Sequence, residues 1–115
     1  MNNKKLGTAF EREVCEMLKK EGYWVHFIAP DNRGAQPFDI IAVKDGIAAA
    51  IECKTLDEKQ KYFSIDRIEE NQRMAFDLWV KCGNLEPQIF IEHGEDVIVI
   101  GWFELQARGK VELND

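Results

Sequence analysis

Three side chains at the edges of apolar runs have the types and spacing to do chemistry. Asp39 opens the run Ile40-Ile41-Ala42-Val43. Glu52 follows thirteen positions later, near the end of the run Ile47 to Cys53, and Lys54 stands two positions further on. Strand side chains alternate, so Glu52 and Lys54 share one face while Ile51 and Cys53 take the other. A carboxylate and an ammonium closing an otherwise apolar strand are costly to bury without partners. Two carboxylates and a lysine at one sheet edge suit a hard divalent cation and an attacking water.

A hairpin is what would bring these groups together. Lys44-Asp45-Gly46 separates the two runs, and Asp-Gly is the strongest part of that turn signal. Antiparallel pairing then sets Asp39, at the start of one strand, near Glu52 at the end of the other. The segment Ile47-Ala48-Ala49-Ala50-Ile51 is apolar on both faces, as expected of a central strand covered on both sides. Its alanines leave room for a helix to pack closely, and the first helix is the candidate.

That helix is read over residues 4–21. Phe10, Val14, Met17 and Leu18 form its apolar stripe, Arg12-Glu16 and Glu16-Lys20 pairs decorate the other side, and Gly22 is the expected stop. Glu11 falls just beside the stripe, from where it could reach toward Asp39. Alternatively, Thr8-Ala9-Phe10-Glu11 is a capping box in which Glu11 bonds back to Thr8. Tyr23 to Ile28 is β-prone and predicts the first strand. A polar loop bounded by Pro30 and Pro37 then leads into Asp39. In that loop Arg33 could pair with a phosphate and Gln36 could hydrogen-bond to one; the alternative is a solvated loop with no role.

Beyond Lys54 the chain is polar to Tyr62-Phe63. Thr55, Lys59 and Lys61 could touch a nucleic-acid backbone, or the stretch is an exposed connection. A second helix is predicted over Asp66–Cys82, with Asp66 and Glu69 as a capping box and Gly83 as the stop. Its apolar face carries Ile68, Ala75, Phe76 and Trp79, with Gln72 in the middle. A buried amide lacking partners costs about 1–3 kcal/mol, so Gln72 either satisfies a backbone group or faces a polar site. Pro87 to Glu92 and Val97 to Gly101 predict two more strands. Trp102 to Leu105 predicts a short closing turn or helix, and residues 108–115 a fraying tail.

The chain has 115 residues, 45% hydrophobic and 31% charged, which fits one globular domain spanning 1–115. The N-terminal residues lead into an amphipathic segment rather than a signal peptide, and no apolar run approaches the ~20 residues of a membrane span. The expected location is the cytoplasm. Cys15, Cys53 and Cys82 are widely spaced with no C-x-x-C pair, which predicts reduced core thiols. His26 and His93 have no ligand pattern around them and are read as structural or surface residues. Net charge is −6, but residues 1–83 hold 13 basic and 14 acidic side chains, and residues 84–115 hold 2 and 7. The acidity lies away from Asp39 and Glu52, so the charge allows a DNA partner without demanding one.

Taken together, Gly7-x-x-Phe10-Glu11, Phe38-Asp39, Glu52-Cys53-Lys54 and Ile68-x-x-x-Gln72 resemble the PD-(D/E)XK nuclease superfamily. Within it the chain resembles the Holliday junction resolvases, both archaeal-type and RecU-like. The stretch from Lys54 to Gln72 looks especially RecU-like, as does the strand leading into Trp102-Phe103-Glu104-Leu105. The resemblance implies an α/β fold with a restriction-endonuclease-like core, a mixed central sheet of about five strands flanked by helices in the order α-β-β-β-α-β-β. It implies that Asp39 and Glu52 hold Mg²⁺ or Mn²⁺, with the Cys53 carbonyl a further ligand and Glu11 an additional carboxylate, direct or through water. Lys54 would orient or help deprotonate the water, or meet charge developing on phosphorus, and Gln72 would steady the site. It also implies branched DNA as substrate and a homodimer, for which Tyr62, Phe63 and Ile65 are candidate interface residues.

Overall fold

Asp45 and Gly46 both take positive φ, 54° and 78°, the left-handed pair that a two-residue hairpin turn needs. The strands they join, β2 (Ile40–Lys44) and β3 (Ile47–Leu56), pair antiparallel with Ile40 opposite Ile51. The structure, a computed structural model, describes residues 9–28 and 36–113.

β1 (Trp24–Phe27) adds antiparallel to β2, β5 (Gln88–His93) adds parallel to β3, and β6 (Asp96–Gly101) closes the far edge. The order β1-β2-β3-β5-β6 puts β3 at the centre of a mixed five-stranded sheet, as expected. Each face of that sheet has its own core. On one side α1 (Ala9–Lys20) lays Phe10, Val14, Cys15 and Leu18 against Ile40, Ala42, Ile51 and Cys53. On the other, α2 (Glu70–Lys81) brings Phe76 onto Ala50, Ile89 and Ile91, and α3 (Trp102–Arg108) adds Trp102 and Leu105. Ala50 thus belongs to the α2 side, and α1 packs instead over the Ile51 and Cys53 face.

A second, two-stranded sheet pairs β4 (Tyr62–Ser64) with β7 (Lys110–Glu112), and it corrects two expectations. The segment read as a fraying tail is held in place as far as Leu113, the last described residue. Gly109, at φ 77°, ends α3 and turns the chain back, and Val111 and Leu113 are buried. Phe63 is fully buried in the same core, so it is not available as an interface residue; Tyr62 is 46% exposed.

The approach to α2 also differs from a single capped helix. Ser64 Oγ accepts from Asp66 N and starts a 3-10 turn over Ile65–Arg67, after which Ile68 is extended (ψ 115°). α2 begins only at Glu70, and Glu69 makes no side-chain cap. Arg73 holds this bent entry: its guanidinium donates to Ile68 O at 2.8 Å and Ile65 O at 3.0 Å. The three cysteines are free thiols, but Cys82 is exposed rather than in the core. Among the described residues no helix is long and apolar enough to cross a membrane.

Candidate active site

Asp39 is fixed by three strands before its side chain does anything. Its N–H donates to Ile51 O at 3.0 Å, and its carbonyl accepts from Ile28 N at 2.7 Å. Because Ile51 faces β2, so does Cys53, two residues on. β2 does not extend that far, and Asp39 Oδ2 takes the Cys53 N–H at 2.8 Å in place of a ladder bond. By the same alternation the Cys53 carbonyl points to this edge. The register that sets Ile40 against Ile51 sets Asp39 against Glu52. Phe38 anchors the strand start from below, buried and edge-on to Trp79 of α2 with ring centroids 5.2 Å apart.

Glu52 is 3% exposed. Its Oε2 accepts from Gln72 Nε2 at 2.9 Å and lies 3.3 Å from Lys54 Nζ. Gln72 is the amide on the apolar face of α2, buried like Glu52, and its Nε2 also lies 3.4 Å from Gln36 O. Both alternatives for Gln72 are met, since it faces a polar site and also donates to a backbone carbonyl. Two buried oxygens at this spot, Glu52 Oε1 and Gln72 Oε1, have no hydrogen-bond partner.

The electrostatics follow from that crowding. Burial, with the Asp39 charge second, pushes Glu52 up to about 8, against the pull of Lys54 and Gln72. Asp39 is pushed up to about 6, first by burial; the Cys53 N–H and Lys54 oppose this, while the Glu11 carboxylate adds to it. Glu11 is half-buried at the start of α1, close enough for its charge to act on Asp39 and on Cys53. Its local alternative involves Thr8, which lies outside the described residues.

A hard cation fits this donor set. Mg²⁺ needs only one or two carboxylates because it retains several waters. Asp39, Glu52 Oε1 and the Cys53 carbonyl offer oxygens only, in a place where unpartnered acceptors are otherwise costly. Among the described residues no three His, Cys, Asp or Glu side chains close into a metal cage. Glu11, Asp39 and Glu52 therefore do not form a direct three-carboxylate cluster.

The residues expected to meet nucleic acid are scattered. Gln36 is at the site through its carbonyl. Thr55, Lys59 and Lys61 are exposed beyond it, and Thr55 and Lys59 share a depression with Asp57, Glu58 and Glu92. Arg33 lies outside the described residues. His93 is structural, with Nε2 at 3.1 Å and 3.0 Å from the carbonyls of Glu58 and Gln60, pinning that loop. Sequence reasoning passed over Arg73, whose clamp on the entry to α2 sets where Gln72 points. An arginine next to a buried amide was its only signal.

Comparison with known proteins gives the family and the fold. The family model for the archaeal Holliday junction resolvase (Hjc) matches residues 2–111. The crossover junction endodeoxyribonuclease Hjc of Methanocaldococcus jannaschii is 30% identical over 104 residues, 90% of this chain and 71% of that protein. A solved structure of Hjc, a Holliday junction resolvase from Archaeoglobus fulgidus, has the same fold. It aligns with a TM-score of 0.66 and 19% identity, over 94% of this chain and 86% of that one. Of the two resolvase branches the sequence resembles, the match is to the archaeal one. The chain belongs to the archaeal Holliday junction resolvase family.

Proposed function

We propose that this chain is a divalent-metal-dependent endonuclease that hydrolyses phosphodiester bonds in branched DNA, with Asp39 and Glu52 holding Mg²⁺ or Mn²⁺. The observation that carries this reading is a buried carboxylate oxygen, Glu52 Oε1, left without a donor beside Asp39. A second negative charge there is tolerable when a cation lies between the two.

The chemistry a bound divalent cation supplies is a more acidic water and charge neutralisation at the phosphate. The chain's own groups do the rest. Gln72 and Lys54 hold Glu52 Oε2, which leaves Oε1 to face the site. The Cys53 N–H fixes Asp39, and the Cys53 carbonyl adds a neutral oxygen. Glu11 acts through water. Lys54 Nζ orients the attacking water or meets charge developing on phosphorus. Gln36, Thr55, Lys59 and Lys61, with Arg33 in the loop before Asp39, contact the backbone of the DNA. The chain works as a homodimer in the cytoplasm, because two symmetric cuts across a branch point call for two sites.

The test is purified protein with labelled four-way junction and linear duplex of the same sequence, in Mg²⁺ and in chelator. Junction nicking that needs Mg²⁺ is expected. Equal cleavage of both DNAs would favour a repair or restriction-type nuclease, and binding without cleavage in any divalent metal would leave a nucleic-acid-binding module.

A further inference from the structure

Trp24 is 61% exposed on the edge strand β1. Its ring lies 6.0 Å from that of His26 at an interplanar angle of 10°, a stacked pair. The other two tryptophans are used differently: Trp102 is 1% exposed and donates to Asp77 Oδ1, and Trp79 is half-buried and donates to Leu85 O. A large ring left in water on a sheet edge adds little to the fold.

The pair is on the face of the sheet that carries the site. Val25 and Phe27 pack into the α1 core, so Trp24 and His26 point the other way, toward the face where Glu52 meets Gln72. Ile28 continues the row, packs with the α2 core and donates its N–H to Asp39 O. From Trp24 to Ile28 the strand runs about 13 Å, roughly four base steps of a DNA strand at ~3.4 Å each.

We propose that Trp24 and His26 form a stacking shelf for the base faces left open at the branch point of the DNA substrate. This rests on the branched-DNA reading above. A paired, stacked duplex hides the faces of its bases, whereas a branch point exposes some of them. A stacked aromatic pair whose tryptophan ring stands open to solvent accepts such a face whatever the base. Its row leads along β1 to Asp39, so a base seated there is a few nucleotides from the reacting phosphate. The shelf would favour branched over linear DNA without reading sequence.

The experiment uses the full chain in chelator, so that binding is measured without cleavage. Fluorescence titration with a four-way junction and with linear duplex follows Trp24, which dominates the emission reached by acrylamide. The expected result is quenching by the junction, protection from acrylamide, and no such change with duplex. Trp24→Ala binds the junction about tenfold more weakly, binds duplex as the wild type does, and Trp24→Phe restores most of the loss. A Trp24 that stays open to acrylamide with junction bound, or a Trp24→Ala variant that binds junction normally, overturns the shelf. Cleavage in Mg²⁺ is scored separately. Intact junction cleavage with an indifferent Trp24 removes the shelf alone. Stacking without cleavage in any divalent metal keeps the shelf and removes the endonuclease. No junction binding by the wild type removes both.

Discussion

Gln72 Nε2 donates to Glu52 Oε2 across 2.9 Å, joining the second helix to the central strand at the one carboxylate that the core encloses among the described residues. The bond fixes which oxygen of Glu52 is occupied and which is left for the site.

Replacing Gln72 by Met keeps the bulk and deletes the donor. Stability is expected to fall by about 1–3 kcal/mol in chelator, and Mg²⁺-supported junction nicking by about 10–100-fold, because Glu52 can then rotate. Thermal melts and nicking rates check the two separately. An unchanged rate would mean that Gln72 only fills space.

Asp39→Asn separates charge from shape. The amide oxygen can still accept from Cys53 N, while the charge that raises Glu52 is gone. The metal-free variant should therefore melt at or above the wild-type temperature at pH 8, with nicking lowered by at least about 10²-fold. Loss of activity together with a large fall in melting temperature would point to a structural role for Asp39.

The raised carboxyls make a pH prediction. Asp39 and Glu52 rise from 3.8 and 4.5 to about 6 and about 8 on folding. The folded chain then binds more protons than the unfolded chain between those limits. The resulting stability is present at low pH and lost as pH rises through the folded values. Without metal, the wild type should lose several degrees of melting temperature relative to Glu52→Gln between pH ~5.5 and ~8.5. Mg²⁺ should recover the loss, more at the upper pH, because deprotonated carboxylates bind it. A parallel pH course for the two proteins would contradict the buried-charge account.

Much of this site could be read along the chain because its parts are local. The Asp-Gly turn and an apolar run on each side fix the register, and the register puts Asp39 opposite Glu52. Gln72 stood out as the one amide on an apolar helix face. The β4–β7 sheet could not be read this way. It is three residues long on each side, and its partners lie far apart in sequence, with Phe63 opposite Val111. Nothing near Phe63 announces Val111, so an aromatic that belongs to the core looked like an exposed one. Likewise, the bend before α2 depends on Ser64 and on Arg73 reaching back to two carbonyls, contacts to which helix propensity is blind.

That small sheet gives its own contrast. Phe63→Ala should cost about 3–5 kcal/mol, since it empties a fully buried site. Tyr62→Ala next door removes only a half-exposed ring under Lys110 Nζ, and about 1 kcal/mol or less is expected. Denaturant unfolding of the two variants checks this. Similar costs would mean that the β4–β7 pair is not part of the core.

The most direct measurement is calorimetric titration of the protein with Mn²⁺ at pH ~8, run in two buffers of different ionisation enthalpy. Saturable binding with release of protons from Glu52 is expected in the wild type, and its loss in Glu52→Gln. Equal binding by Glu52→Gln, or none by the wild type, would contradict the claim that the buried pair is built to hold a cation.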